Sequence, residues 1–142
     1  MNCSCGQRGQ DNGGNPEVMS VCRAAHENRY FRRAVWTGEY LQMTVMSIPS
    51  GGEIGEEVHR CTDQLLIVEE GSCEVRMGEC RGSADFCRKA GAGSAIFIPA
   101  GYRHNVVNTG RCELKLISVY APPNHQAGVV HKTKADADCA ER

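Results

Sequence analysis

Four polar side chains stand at spacings that could gather them around one divalent metal ion: Glu57, His59, Gln64 and His104. Glu57 and His59 are two residues apart, so on a β-strand both point to the same face. Gln64 lies beyond a short turn at Arg60–Asp63 and projects from the paired strand toward that face. His104 follows the turn Pro99-Ala100-Gly101, which opens another strand. Carboxylate, imidazole and amide oxygen together form a mixed N/O donor set, suited to a borderline ion such as iron, zinc, nickel, manganese or cobalt. Cys61, two residues after His59, is an alternative fourth donor, because thiolate binds zinc or iron well. The competing readings are plain ones. His59 and His104 as buried, hydrogen-bonded histidines, Glu53, Glu56 and Glu57 as a solvated acidic cluster, and Cys61 as a half-buried thiol need no metal.

The elements that would position these groups are short strands. From Tyr30 onward the apolar period is two, and over Tyr40–Ile48 the residues Leu41, Met43 and Val45 alternate with Gln42 and Thr44. Pro49-Ser50-Gly51-Gly52 ends that strand as a turn. Further strands are expected at Glu57–His59, Gln64–Glu69, Cys73–Met77, Ala95–Ile98, Asn105–Asn108 and Leu114–Tyr120, most of them separated by turn glycines. Many short strands with regular Gly/Pro punctuation indicate an all-β sandwich or barrel. Residues 78–92 break the alternation and read as a long hairpin loop. Residues 1–15, rich in Gly, Asn, Gln and Ser, read as a disordered arm ahead of one domain over 16–142. Asn15-Pro16 reads as the start of a helix running to about His26, a basic residue suited to a helix end. Thr133-Lys134-Ala135-Asp136 reads as a capping box opening a terminal helix. Phe97 and Trp36 are expected in the core. His125 and His131 follow the Pro122-Pro123 run and are expected to pack the tail or meet a second copy. Tyr102 and Arg103, beside His104, are expected at the barrel rim.

Composition bounds the classes of function. A chain of 142 residues with a formal net charge of −1 carries no basic footprint for nucleic acid or an anionic membrane. A small-molecule ligand and another copy of the chain, a homodimer, are the partners expected. No apolar run approaches the ~20 residues that span a bilayer. The nine cysteines are odd in number, contain no C-x-x-C pair, and follow a polar N-terminus without an apolar leader segment. They read as reduced thiols in a cytoplasmic protein.

Two spacings resemble the paired motifs of the cupin superfamily. In the first, Gly51 is followed by five residues, Glu57, one residue, His59, four residues, Gln64, six residues and Gly71. The family pattern has histidine where Glu57 stands and glutamate where Gln64 stands. In the second, Gly93 is followed by five residues, Pro99-x-Gly101, two residues, His104, three residues and Asn108, and every specified position matches. The likeness covers roughly residues 40–120. Stretches such as Trp36-Thr37-Gly38, GEIGEEVH, Asp63-Gln64, Ala95–Ala100, APP at 121–123 and HKTKADA at 131–137 extend it toward small bacterial cupins labelled mannose-6-phosphate isomerase-like. The resemblance implies a double-stranded β-helix, or jelly-roll barrel, with short N- and C-terminal helices. It implies one metal ion inside the barrel, and often a dimer. The function that follows is a metal-dependent enzyme on a small polar metabolite, an isomerase or epimerase of a sugar or an oxygenase; Glu57 would be the base if it does not ligate. The alternative is a non-catalytic module that binds a metal or a metabolite. Only Arg60 and Arg103 lie near the motifs, which weighs against a phosphosugar substrate.

Overall fold

The fold is given by a computed structural model that describes residues 11–80 and 85–141. In chain order its elements are α1 (Val21–Glu27), β1 (Arg32–Thr37), β2 (Gln42–Ile48), β3 (Glu57–Val58), β4 (Asp63–Glu70), β5 (Ser72–Gly78), β6 (Phe86–Gly91), β7 (Ala95–Ile98), β8 (Arg103–Asn108), β9 (Leu114–Ala121), β10 (Val130–His131) and α2 (Lys134–Ala140). The strands form two antiparallel sheets, β10-β1-β2-β9-β4-β7 and β3-β8-β5-β6. The inward faces of the two sheets meet over one core, which is the jelly-roll arrangement of an all-β fold.

Alternation decides which residues reach that core. In β4, Gln64, Leu66 and Val68 are buried while Leu65, Ile67 and Glu69 face outward and are half-buried. In β5 and β8 the buried sets are Cys73, Val75, Met77 and His104, Val106, Asn108. The apolar cluster they build contains Ile48, Leu66, Val68, Val75, Val106, Leu114 and Leu116. Truncating any one of these to alanine would cost about 2–5 kcal/mol, or less for the valines.

The register grades the interior from apolar to polar. Ile48 pairs with Leu114, and Met46 with Leu116, which pairs with Val68. Toward the other end, Thr44 pairs with Ser118, and Gln42 with Tyr120, which pairs with Gln64. Across the barrel, β3 pairs Glu57 with His104. The polar rungs and the chemistry-bearing side chains therefore share one end of the molecule.

Several expectations need correction. The first helix starts at Val21, not Pro16, because Ser20 is its N-cap and accepts a hydrogen bond from Arg23 N at 3.2 Å. Residues 1–10 of the expected arm lie outside the described residues. From Asp11 onward the chain is held down: Asp11 accepts hydrogen bonds from Thr37 Oγ1 and Gly128 N, and Asn15 O accepts one from Trp36 Nε1 at 2.7 Å. Trp36 is consequently half-buried on the outer face, away from the main core. Phe97 is 70% exposed, since Ile96 and Ile98 take the inward positions of β7. Within the expected loop 78–92, Phe86–Gly91 forms strand β6, paired with β5 from Ser72↔Gly91 to Met77↔Phe86. Residues 81–84 of that loop lie outside the described residues. The terminal capping box is present: Thr133 Oγ1 accepts from Asp136 N and Asp136 Oδ2 from Thr133 N, each at 3.2 Å.

Candidate metal site and its cavity

Backbone geometry brings three of the four predicted residues together, from β3 with the residue after it and from β8. Glu57 lies on β3 opposite His104 on β8, and His59 follows directly after β3. His59 O accepts a hydrogen bond from Gly101 N at 2.8 Å, which ties the first motif to the Pro99–Gly101 turn of the second. Gly101 has φ +85°, a left-handed conformation that glycine adopts without strain. Glu57, His59 and His104 place one ligand atom each within 4.8 Å of one another. Glu57 Oε2 stands 3.4 Å from His59 Nε2 and 3.7 Å from His104 Nε2.

These approaches are too long or poorly aimed for hydrogen bonds, and both Nε2 atoms are buried without a hydrogen-bond partner. His104 Nδ1 lies 3.0 Å from Tyr102 O. A carbonyl can only accept, so Nδ1 donates to it, which leaves Nε2 turned toward Glu57. Gln64 is buried on the inner face of β4. Its Nε2 donates to Ser118 Oγ at 2.8 Å, and its Oε1 has no partner. Buried polar atoms without partners, two of them facing a carboxylate, are costly unless a cation satisfies them. Donors ~2.1 Å from one ion stand about 3.0–3.4 Å apart at octahedral to tetrahedral angles, close to the separations found here. The residues present fit a divalent metal. Cys61 is exposed on the turn after His59 and lies outside the Glu57–His59–His104 cluster.

Glu57 is divided between two partners. Its Oε1 accepts from the Arg32 guanidinium at 3.2 Å while Oε2 faces the histidines. Burial pushes the Glu57 carboxyl up, but the two imidazoles and Arg32 outweigh it and hold the group well below the usual carboxylate range. Arg32 is fully buried and also lies 3.5 Å from Glu141 and 3.4 Å from His131 Nδ1. Arg32 stands outside both paired motifs. Its signal was available: in Arg32-Arg33-Ala34 the inward phase of β1 carries a charge, which a strand buries only against a partner.

Above these groups an open cavity of about 370 Å³ is lined by Glu56, Glu57, His59, Asn124, His125 and Glu141, with Val58 at its side. His125 comes from the segment after the proline pair, held by Gln42 Oε1 accepting from His125 N at 2.9 Å. Its Nε2 is 3.3 Å from Tyr120 Oη, and the Tyr120 ring stands edge-on to His59. Burial, with the Arg32 charge nearby, pushes His125 down to about 3, so its imidazole is neutral at neutral pH. Tyr102 and Arg103 do not line the cavity; Tyr102 Oη donates to Glu79 Oε1 at 3.1 Å. His131 contacts the Arg32 side of the site, and His26 lies on the outer face of the sheet beside Glu70. No helix among the described residues is long and apolar enough to cross a membrane.

The family model described as "Cupin domain" matches residues 44–120, just over half of the chain. The uncharacterized protein YrkC of Bacillus subtilis is 48% identical over 132 residues, which cover 93% of this chain and 71% of that protein. The uncharacterized protein L612 of Acanthamoeba polyphaga mimivirus is 30% identical over 114 residues, covering 80% of this chain and 69% of its own length. The crystal structure of BH2720 from Bacillus halodurans superposes with a TM-score of 0.90 at 48% identity, covering 92% of this chain and 98% of that one. These relatives bring a shared domain and no named activity. The two-sheet fold, the paired motifs and these matches agree: the chain belongs to the cupin family.

Proposed function

We propose that this cupin holds one divalent metal ion through Glu57, His59, His104 and the Gln64 carbonyl oxygen, and that it is an enzyme acting there on a small, uncharged polar metabolite. The observation that carries the reading is the convergence of Glu57 Oε2 with two buried Nε2 atoms that have no hydrogen-bond partner. When bound, such an ion supplies Lewis-acid polarisation of a hydroxyl or carbonyl oxygen. The chain's own residues do the rest. Arg32 fixes Glu57 so that one oxygen stays turned to the histidines. The neutral imidazole of His125, on the cavity wall, is placed to hydrogen-bond a bound hydroxyl. Asn124, Glu56 and Glu141 offer amide and carboxylate partners for hydroxyl groups. The choice of an uncharged substrate follows from the lining, which among the described residues contains three carboxylates and no lysine or arginine. Arg32, which reaches Glu57 and Glu141, is buried and already paired. Among the described residues of the wall a phosphorylated sugar would find no cationic partner.

Elemental analysis of purified protein after reconstitution tests the site. The His59→Ala/His104→Ala variant should lose one equivalent of metal relative to wild type while keeping its circular dichroism spectrum. Full retention of metal in a folded double variant would end the proposal.

A further inference from the structure

A second group of metal-ligand residues lies on the opposite side of the sheet. Cys22 and His26 are four apart on α1 and so share one helix face. Glu69 follows Leu65 and Ile67 on the outward phase of β4, which with β2 and β9 forms the surface against which α1 packs. Cys22, His26 and Glu69 each place a ligand atom within 4.8 Å of the others. Glu70 adds a second feature: its Oε2 lies 3.0 Å from His26 Nδ1. A carboxylate beside one imidazole nitrogen fixes the ring and raises its basicity as a ligand, the usual support for a metal-bound histidine. Cys22 and His26 are exposed and Glu69 is half-buried, so the group is open to ions from solvent. The barrel site faces the interior of the sandwich and this one faces outward; neither shares a residue with the other.

We propose that Cys22, His26 and Glu69 form a second, surface metal site for a thiophilic divalent ion of the zinc class. Thiolate, imidazole and carboxylate are three of the four donors of a tetrahedral zinc site, and solvent completes the set. Binding forms the metal–sulfur bond and releases the Cys22 thiol proton to water, with no change of oxidation state. The ligands come from both a helix and a strand, so an ion here joins them. A seven-residue helix is too short to persist by itself. The ion would therefore act as a clip holding α1 to the sheet.

Cobalt(II) is the probe, added to the full chain under reducing conditions. Wild type should show a thiolate-to-cobalt charge-transfer band and bind one equivalent more than Cys22→Ser, which should lack the band. Cys61→Ser should keep it, since that thiol is exposed on the turn after His59 and belongs to neither group. Glu70→Gln should keep the band and weaken binding roughly tenfold, as loss of a carboxylate behind a ligating imidazole does. A wild type without a thiolate band, or a band that survives Cys22→Ser, would overturn the second site. Either result leaves the barrel proposal standing, because that site is read by the equivalent lost with His59 and His104.

Discussion

Arg32 shows most clearly how the site depends on a residue that cannot ligate. Its guanidinium is fully buried, yet it holds Glu57 at 3.2 Å and Glu141 at 3.5 Å. Removing one member of a buried pair leaves the other charge without compensation in a poorly solvated place. Arg32→Met should therefore destabilise the metal-free protein by about 3–5 kcal/mol in denaturant melts. Adding Glu57→Gln to it should recover a good part of that loss, because the uncompensated carboxylate is then gone. If Arg32→Met costs less than about 1 kcal/mol, Glu57 is solvated well enough to need no partner. The residues that could ligate were legible from the sequence because their types and spacings carry chemistry. Arg32 and His125 were not. Arg32 acts through a neighbour 25 positions away, and His125 reaches the cavity through a bend after two prolines and a backbone bond to Gln42.

Among the elements, β4, β5 and β8 were readable from their alternation, whereas β1, β6 and β10 were given no bounds. β4 alternates Gln64, Leu66 and Val68 inward, and its bounds fall within a residue of expectation. β6 is an edge strand with Phe86 to Lys89 exposed, so its sequence carries no alternation to read. β10 has only two residues and exists because β1 offers it an edge. The turn between the motifs was legible because Pro99 and Gly101 have fixed backbone roles. Its contribution can be separated from general stability with two glycines. Gly101 and Gly93 have φ of +85° and +89°, and a Cβ at either meets nothing within 4 Å. Alanine at each should cost about 1 kcal/mol from the left-handed backbone alone. Only Gly101 N donates to His59 O, so only Gly101→Ala should also weaken metal binding several-fold in calorimetric titration. Equal affinities in the two variants would mean that the turn does not position His59.

For the whole molecule, the graded interior concentrates titrating groups at one end, where burial sets how stability depends on pH. That gradient could not be read from any single strand, since it arises from rungs such as Gln42–Tyr120–Gln64, whose members lie far apart in sequence. His125 is the clearest case. Folding lowers it from 6.5 to about 3, with burial first and the Arg32 charge second. Above 6.5 the imidazole is neutral in both states and contributes no pH dependence. Between 6.5 and about 3 the unfolded chain takes up a proton that the folded chain refuses, so folding stability falls as the solution is acidified. The slope from this one group reaches at most about 1.4 kcal/mol per pH unit. His125→Gln removes that proton while keeping a polar side chain beside Tyr120. Urea melts of the metal-free proteins from about pH 6 down to pH 4 should then show a shallower loss of stability in the variant, by up to one proton. Carboxylates titrate in both proteins, so their contribution cancels in the difference. Parallel slopes would show that His125 takes up its proton in the folded state, which would require the mouth of the barrel to be open to water around that ring.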